Sequence, residues 1–173
     1  MQEEIRQVRN GGAKNPLAEW VGQVGVSPWC VISQATVDRY AELTGDGEGE
    51  WVHLDPVRAA AELPYGGTIV QGFLQVSHLV RLGGQALGDL GGGFDVNHAL
   101  NYGFDRLRFV KPLPVGAKFR ARLRISEVSE RPSGGYSIKQ DISLEMEDGS
   151  ATLVAEWLFF VGHRALASEA GRS

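Results

Sequence analysis

The second half of the chain alternates apolar and polar residues, and this alternation limits the possible folds more than any other feature. In KFRARLRIS, at 118–126, apolar side chains occupy every second position and basic side chains stand between most of them. YSIKQDISLEM, at 136–146, repeats the pattern, with Gln140 in one of the otherwise apolar positions. Because successive side chains of a strand point to opposite faces of a sheet, both segments are predicted to be strands with one buried face.

Two more segments extend the predicted sheet to at least four antiparallel strands. LNYGFDRLRFV, at 100–110, is strand-like, and TLVAEWLFFVG, at 152–162, is apolar almost throughout, as expected of a well-buried strand. KPLPVG, ERPSGG and EDGSA separate the four segments and contain turn-forming residues. A sheet with one apolar face needs a second layer to cover it.

Helices predicted in the first half supply that layer. Ser33 is expected to cap a helix that ends at Gly45, and Asp55 is expected to cap a shorter one with Pro56 in its first position. The longest predicted helix is GFLQVSHLVRLGGQALGDL, at 72–90. We expect one face of this helix to pack against the sheet, namely Phe73, Val76, Ser77, Val80, Gly84 and Leu87. The predicted fold class is therefore α+β.

The length and the composition favour one ordinary globular domain. We place it at 15–165, after a flexible lead-in at 1–14 and before a C-terminal tail at 166–173. The hydrophobic fraction of 43% is typical of such a domain, and the net charge of −4 argues against nucleic acid or an anionic membrane as the main partner. No apolar run approaches the roughly 20 residues of a membrane helix, and the first residues lack a signal-peptide core, so we expect a cytoplasmic protein.

LTGDGEGEWVHLDP, at 43–56, is the segment best suited to acid–base chemistry. Three carboxylates, those of Asp46, Glu48 and Glu50, precede His53 between two predicted helices. A carboxylate and an imidazole on one loop can share a water molecule and divide proton transfers between them. The four histidines lack the spacing of metal ligands, and the single cysteine lies in an apolar run, so we expect no metal.

These motifs resemble, in the same order along the chain, those of the MaoC-like dehydratase family, and most closely its NodN-like branch. The resemblance covers roughly residues 20–125 and is carried by ISQATVDRYAELTGD, WVHLDPVRAAAELPYGGTIVQGFLQVSHLV and LNYGFDRLRFVKPLPVG. It implies the hot-dog fold, in which an antiparallel sheet wraps a long central helix, and a homodimer. It also implies an (R)-specific enoyl-CoA hydratase or 3-hydroxyacyl-thioester dehydratase. Such a lyase would act on a thioester of coenzyme A or acyl carrier protein, with no cofactor other than the coenzyme A of its substrate.

The resemblance further implies that His53 and one carboxylate form the catalytic pair. Four residues separate the pair in the family, whereas six separate Asp46 from His53. Counting back from His53 leads to Glu48, and counting forward from LTG leads to Asp46, so both stay candidates for the base. We favour Asp46, because the predicted Gly45 cap anchors it to a helix. Glu48 stands between two glycines that leave its side chain poorly positioned.

Four other residues are candidates for contacting the substrate. By the resemblance, the backbone amide of Gly72 polarises the thioester carbonyl at the start of the long helix, which is a natural place for an oxyanion donor. Gln71 replaces the histidine that usually precedes this glycine, and Ser77 matches the serine that follows it. We add Asn101, at the start of a predicted strand, as a further substrate-binding candidate.

Two other functions compete with hydration. A hot-dog acyl-CoA thioesterase commonly carries a catalytic carboxylate on the long helix, but residues 72–88 contain neither Asp nor Glu, and the first is Asp89. A non-catalytic acyl-thioester-binding protein is the other alternative, because the spacing of the pair is altered and Gln71 replaces a histidine. The basic residues at 106–124 are interpreted as a solvated strand face rather than as an anion site.

Overall fold

The structure, a computed structural model, describes residues 17–47, 49–89 and 96–163, apart from the side chains of residues 89, 96, 97 and 163. The predicted lead-in and tail therefore lie outside the described residues. A 3-10 turn at Ala18–Trp20 comes first. The strands and helices follow in the order β1 (Val24–Val26), β2 (Cys30–Val31), α1 (Gln34–Thr44), α2 (Trp51–Leu54), α3 (Pro56–Glu62), α4 (Gly72–Asp89), β3 (Val96–Phe109), β4 (Lys118–Glu130), β5 (Tyr136–Met146) and β6 (Ala151–His163).

All six described strands belong to one antiparallel sheet. Its strand order is β1-β4-β5-β6-β3, and β2 pairs with the other end of β4 from β1. The registers bring Leu123 of β4 opposite Ile142 of β5, and Ile142 opposite Ala155 of β6. These three side chains belong to the buried core. The four long strands predicted from the alternation are therefore confirmed.

One face of the sheet is apolar and the other carries ion pairs. Every apolar side chain of the β4 alternation is fully buried, namely Phe119, Ala121, Leu123 and Ile125. On the outer face, Nε of Arg120 lies 2.6 Å from Oε1 of Glu145, and Nε of Arg122 lies 3.2 Å from Oε2. Partial burial alone would raise the pKa of the Glu145 carboxyl, but the hydrogen bonds from both arginines outweigh it and hold this pKa below its ordinary value.

Helix α4 covers the inner face of the sheet, but with a different side from the one predicted. Phe73 is 69% exposed and Val80 is 64% exposed, so the prediction that their face packs on the sheet is wrong. The side that packs there comprises Leu74, Gln75, Leu79, Leu82, Gly83 and Ala86. Gly83 lets the ring of Trp157 approach the helix, because a Cβ at this position would lie 3.0 Å from its Cζ3.

The predicted ends of the short helices are confirmed. The hydroxyl of Ser33 accepts the amide of Thr36 at the start of α1, and Gly45 ends this helix in the left-handed conformation, with φ of 73°. At the start of α3, the carboxylate of Asp55 accepts the amide of Arg58 at 2.9 Å. These caps fix where the chain leaves α1 and where it enters α3, so they hold both ends of the segment that carries His53.

Candidate active site

His53 lies on α2, a single helical turn that is joined to the strand-like segment before α4. The amide of Ile69 donates to the carbonyl of Val52 at 3.1 Å. The carbonyl of Ile69 lies 2.6 Å from Nδ1 of the His53 ring. The backbone of Ile69 therefore binds two consecutive residues of α2, Val52 through its amide and His53 through its carbonyl. These bonds hold the His53 ring next to the start of α4.

The hydrogen bond to Ile69 determines which ring nitrogen of His53 carries the proton. A carbonyl oxygen only accepts, so Nδ1 must donate and must be protonated. In the neutral ring, Nε2 then has a free lone pair. An imidazole in this tautomer is prepared to take a proton through Nε2, as a general base does.

Gln34, the first residue of α1, binds the same segment from the other side. Its Nε2 donates to the carbonyl of His53 at 2.7 Å and to Oδ1 of Asp38 at 2.8 Å. Its Oε1 accepts a short hydrogen bond from the hydroxyl of Thr68, which is almost fully buried. One amide thus connects α1, α2 and the segment before α4, and it fixes the backbone of His53 as the bond to Ile69 fixes its ring.

A pocket of about 270 Å³ opens beside His53. Its walls come from the segment before α4, from the first turn of α4 and from the chain that follows β3. The lining residues are His53, Ile69, Val70, Gly72, Gln75, Phe109, Val110, Lys111 and Pro112. Most of this lining is apolar, and the exceptions are one imidazole, one amide side chain and one ammonium group. Such a mixture suits a largely apolar ligand with one polar, reactive centre.

Gly72 has two properties that suit this position. It is the first residue of α4, so its amide has no acceptor within the helix, and the helix dipole favours negative charge there. A Cβ at this position would lie 2.8 Å from Cζ of Phe109, so any larger residue would displace that ring. The glycine therefore lets the Phe109 ring pack directly over the helix N-terminus that borders the pocket.

Gln75 is the residue of this pocket that sequence reasoning missed. Its side chain is only 3% exposed, and its Oε1 has no hydrogen-bond partner among the described residues. A buried amide without a partner is unfavourable unless water or a ligand supplies one. The sequence contains a signal for this residue, because Gln75 is polar and stands between two apolar residues of the helix, Leu74 and Val76.

Neither candidate carboxylate is seen to meet His53. Asp46 is exposed in the turn after Gly45, and it forms no hydrogen bond or ion pair with any other described residue. The same turn packs beside α2, since a Cβ on Gly47 would lie 3.6 Å from Cδ1 of Leu54. Glu48 lies outside the described residues. The choice between Asp46 and Glu48 as the carboxylate of the catalytic pair therefore stays a prediction.

Comparisons with known proteins identify the family of this chain. The family model of the MaoC like domain matches residues 18–145, which is most of the chain. The chain belongs to the MaoC-like family. Over 129 residues it is 39% identical to 3-hydroxyacyl-thioester dehydratase Z of Mycobacterium tuberculosis, covering 75% of this chain and 80% of that protein. Over 143 residues it is 33% identical to nodulation protein N of Rhizobium leguminosarum bv. viciae, covering 82% and 86%.

A solved structure shares the architecture of this MaoC-like chain. The (R)-hydratase of A. caviae involved in PHA biosynthesis superimposes with a TM-score of 0.62 at 23% identity. The match covers 80% of this chain and 94% of that one. The hot-dog fold expected from the resemblance is thus confirmed, with α4 as its long central helix.

The other three predicted substrate-binding residues of this MaoC-like chain do not line the pocket beside His53. Gln71 is 2% exposed and donates to the carbonyl of Val37 on α1 at 3.2 Å. The exposed hydroxyl of Ser77 donates to the carbonyl of Phe73 within α4. Asn101 accepts a hydrogen bond from Trp157 at the other end of α4. The structure therefore brings together His53 and Gly72, and it places the other three elsewhere.

Two further observations concern the described part of the chain. No group of three or more His, Cys, Asp or Glu side chains lies close enough there to hold a metal ion. No helix among the described residues is long and apolar enough to cross a membrane.

Proposed function

We propose that this chain is an (R)-specific enoyl-thioester hydratase that also catalyses the reverse reaction, the dehydration of 3-hydroxyacyl thioesters. The observation that carries the proposal is the orientation of His53. Its Nδ1–H is committed to Ile69, which leaves the lone pair of Nε2 free, and His53 lines the same pocket as Gly72. The similarity to a protein named 3-hydroxyacyl-thioester dehydratase supports the same reaction class.

The reaction assigns a step to each of these groups. In hydration, Nε2 of His53 removes a proton from a water molecule while the water oxygen forms a bond to C3 of the enoyl group. The electrons of the double bond move toward the thioester carbonyl, whose oxygen is stabilised by the Gly72 amide. C2 then receives the proton that His53 took from the water, which restores the neutral imidazole and gives the 3-hydroxyacyl thioester. A donor of this kind typically contributes about 3–4 kcal/mol to lowering the barrier.

A carboxylate completes this scheme by accepting a hydrogen bond from the second water proton, which stays on the oxygen that becomes the 3-hydroxyl group. We propose Asp46 for this role and keep Glu48 as the alternative. The left-handed Gly45 cap fixes the end of α1 immediately before Asp46. Gly47, the residue after Asp46, approaches α2 beside Leu54, the neighbour of His53. Catalysis requires a group held in position, and Asp46 is the one attached to a helix end.

The proposed substrate is a thioester of coenzyme A or of acyl carrier protein, and we propose that no metal or additional cofactor takes part. Lys111 lines the pocket with its ammonium group, 3.4 Å from Oδ2 of Asp148 at the surface. This cation is placed to attract an anionic carrier at the pocket mouth. The cytoplasmic location expected from the sequence stays a prediction.

We also propose that the chain forms a homodimer through β3. This strand is 14 residues long and stands at the end of the described sheet order, with β6 as its only paired strand. Leu100 and Tyr102 on it are 56% and 65% exposed. An exposed, long, apolar edge strand readily pairs with another chain, and pairing with a second β3 would cover it.

The test is incubation of the purified protein with crotonyl-CoA, following both the enoyl absorbance and the release of free thiol. Loss of absorbance without thiol is the result expected of a hydratase. Release of thiol would identify a thioesterase instead. If neither signal changes with short and medium chains, the chain is not a hydratase and the acyl-binding alternative takes its place.

A further inference from the structure

A second cavity lies at the other end of α4, between the helix and the inner face of the sheet. It has a volume of about 290 Å³. Helix α4 contributes Val80, Gly83, Gly84 and Leu87, and the strands contribute Ala99, Asn101, Gln140, Trp157 and Phe159. The wall is therefore aliphatic and aromatic except for two amide side chains. A cavity of this composition suits an aliphatic group that carries a single polar function.

The Gln140 amide is the main polar feature of this cavity. Gln140 occupies an apolar-face position of β5, between the buried side chains of Ile138 and Ile142. It is only 1% exposed, and its Nε2 has no hydrogen-bond partner among the described residues. A buried donor without an acceptor is unfavourable and rare in native proteins. An acceptor brought by a ligand would remove this penalty.

Asn101 points to the same kind of ligand. Its Oδ1 accepts the indole N–H of Trp157 at 2.7 Å, and because an indole nitrogen only donates, this bond fixes the orientation of the amide. The NH₂ group of Asn101 is therefore left to donate a hydrogen bond to another partner. Asn101 and Gln140 thus offer amide donors to one cavity, and a hydroxyl or carbonyl oxygen is the group that would accept from them.

An apolar stripe on α4 connects the two cavities. Phe73 follows Gly72 directly and packs edge-to-face on Phe109, with ring centroids 6.3 Å apart. Val76 and Val80 come at helical spacing after Phe73, and Val80 lines the second cavity. With a rise of about 1.5 Å per residue, Val80 lies roughly 12 Å along the helix from Gly72. An extended chain attached at Gly72 would therefore reach the second cavity along this stripe.

We propose that the second cavity receives the distal end of the acyl chain and that Gln140 selects chains with a hydroxyl or carbonyl oxygen remote from the thioester. This inference rests on the proposed function, because it takes the thioester to lie at Gly72. It names a substrate class: medium-chain to long-chain acyl thioesters oxygenated near their far end. It also gives Asn101 a substrate-binding role, in the second cavity rather than beside His53.

The experiment measures binding of saturated thioesters, so that no reaction is needed. Decanoyl-CoA and dodecanoyl-CoA, each with and without an ω-hydroxyl group, are titrated into wild-type protein and into Gln140→Met, which keeps the volume and removes the amide. The preference for the hydroxyl group is the Kd of the plain acyl-CoA divided by the Kd of its ω-hydroxylated form. For at least one chain length, this ratio is expected to be at least five-fold lower in Gln140→Met than in wild type. Ser143→Ala, on the outer face of the same strand, is expected to keep the wild-type ratio.

A second variant tests whether the chain enters the cavity at all. A Cβ at Gly84 would meet nothing within 4 Å, so the backbone has room for the first atom of a side chain, and Gly84→Leu is chosen to extend that side chain at the cavity. It is expected to weaken dodecanoyl-CoA binding at least five-fold and to leave butyryl-CoA binding unchanged. The inference would be overturned if the ratio of plain to hydroxylated Kd were equal in wild type and Gln140→Met. It would also be overturned if Gly84→Leu weakened the binding of dodecanoyl-CoA and butyryl-CoA equally. Hydration of crotonyl-CoA is scored separately, so its absence would count against the proposed function and not against the cavity.

Discussion

Nδ1 of His53 lies 2.6 Å from the carbonyl oxygen of Ile69, so the ring is held in the tautomer that leaves Nε2 unprotonated. The two residues are 16 positions apart, and the bond closes the segment between α2 and α4. Ile69 also binds Val52 through its amide. The bonds from this one residue therefore position and orient the proposed base.

Replacement of His53 by alanine is expected to lower kcat by about 10²–10⁴-fold, the usual contribution of a general base. The measurement is the rate of crotonyl-CoA hydration by the purified variant. His78 provides a matched control, because its Nδ1 also lies near a backbone carbonyl, that of Leu74, at 2.9 Å, but it does not line the pocket. A His78→Gln variant that loses as much activity as His53→Ala would contradict the assignment.

Gln34→Leu is expected to lower kcat by about 10- to 100-fold with little change in KM. The His53 carbonyl would lose its hydrogen bond from Gln34, whereas the residues that line the pocket would stay the same. The buried Thr68 hydroxyl would lose its acceptor, which should also cost about 1–3 kcal/mol in the free energy of unfolding. Steady-state kinetics and urea denaturation measure the two effects. Gln23→Leu is the control, because Gln23 is exposed and its side-chain amide donates to the Glu19 carbonyl at the surface, so neither quantity should change. Loss of stability with full kcat would mean that Gln34 is structural only.

The parts of the fold that follow from local pattern could be predicted from the sequence. Strand β5 was predicted at its observed bounds, because a strand with one buried face shows its alternation directly. Strand β1 was missed, because its three residues are too few to show a period. The buried side of α4 was predicted wrongly, because Leu74, Leu79 and Leu82 form a second apolar stripe beside the Phe73 stripe, and periodicity does not say which of the two meets the sheet.

The parts of the site that depend on distant residues could not be predicted in the same way. The bond between Gln34 and Thr68 joins residues 34 positions apart, and no local spacing indicates it. Gln75 and Gln140 were visible as polar residues in apolar surroundings, but only the fold shows that one borders the pocket at the start of α4 and the other the cavity at its end. Sequence motifs located His53 and Gly72, and the structure brings these two together.

Gly72→Ala is expected to reduce kcat/KM by about 10- to 100-fold, because the new methyl group would displace the Phe109 ring that lines the pocket. Stability should change by less than about 1 kcal/mol, since alanine favours the helix and the displaced Phe109 is already 47% exposed. The control is Gly88→Ala in the same helix, where a Cβ meets nothing within 4 Å. Gly88→Ala should keep activity. Full activity in Gly72→Ala would show that the pocket does not need this close packing.

Asp46→Asn is expected to abolish hydration, whereas Glu48→Gln is expected to retain it. Both substitutions keep the size of the side chain and remove its charge, so neither should alter the Gly45 cap or the turn. The measurement is kcat for crotonyl-CoA with each variant, with circular dichroism to check the fold. The opposite result, loss of activity in Glu48→Gln alone, would make Glu48 the carboxylate that works with His53. Activity in both variants would leave His53 as the sole acid–base group among the proposed residues.

The ion pairs of Glu145 are expected to make stability depend on acid pH. Hydrogen bonds from Arg120 and Arg122 outweigh the effect of partial burial and lower the folded-state pKa of this carboxyl below the unfolded value of about 4.3. A lowered pKa stabilises the folded state fully above the unfolded pKa, and this stabilisation is lost as the pH falls through the folded pKa. Urea denaturation of wild type and Glu145→Gln between pH 7 and pH 3 measures it.

The difference in unfolding free energy between wild type and Glu145→Gln should be constant from pH 7 to about pH 5 and should shrink at lower pH. Glu42→Gln is the control, because Glu42 is exposed on α1 and forms no ion pair with any described residue. Its difference from wild type should change much less over the same range. A difference for Glu145→Gln that stays constant down to pH 3 would show that its pairing with Arg120 and Arg122 does not contribute to the acid dependence of stability.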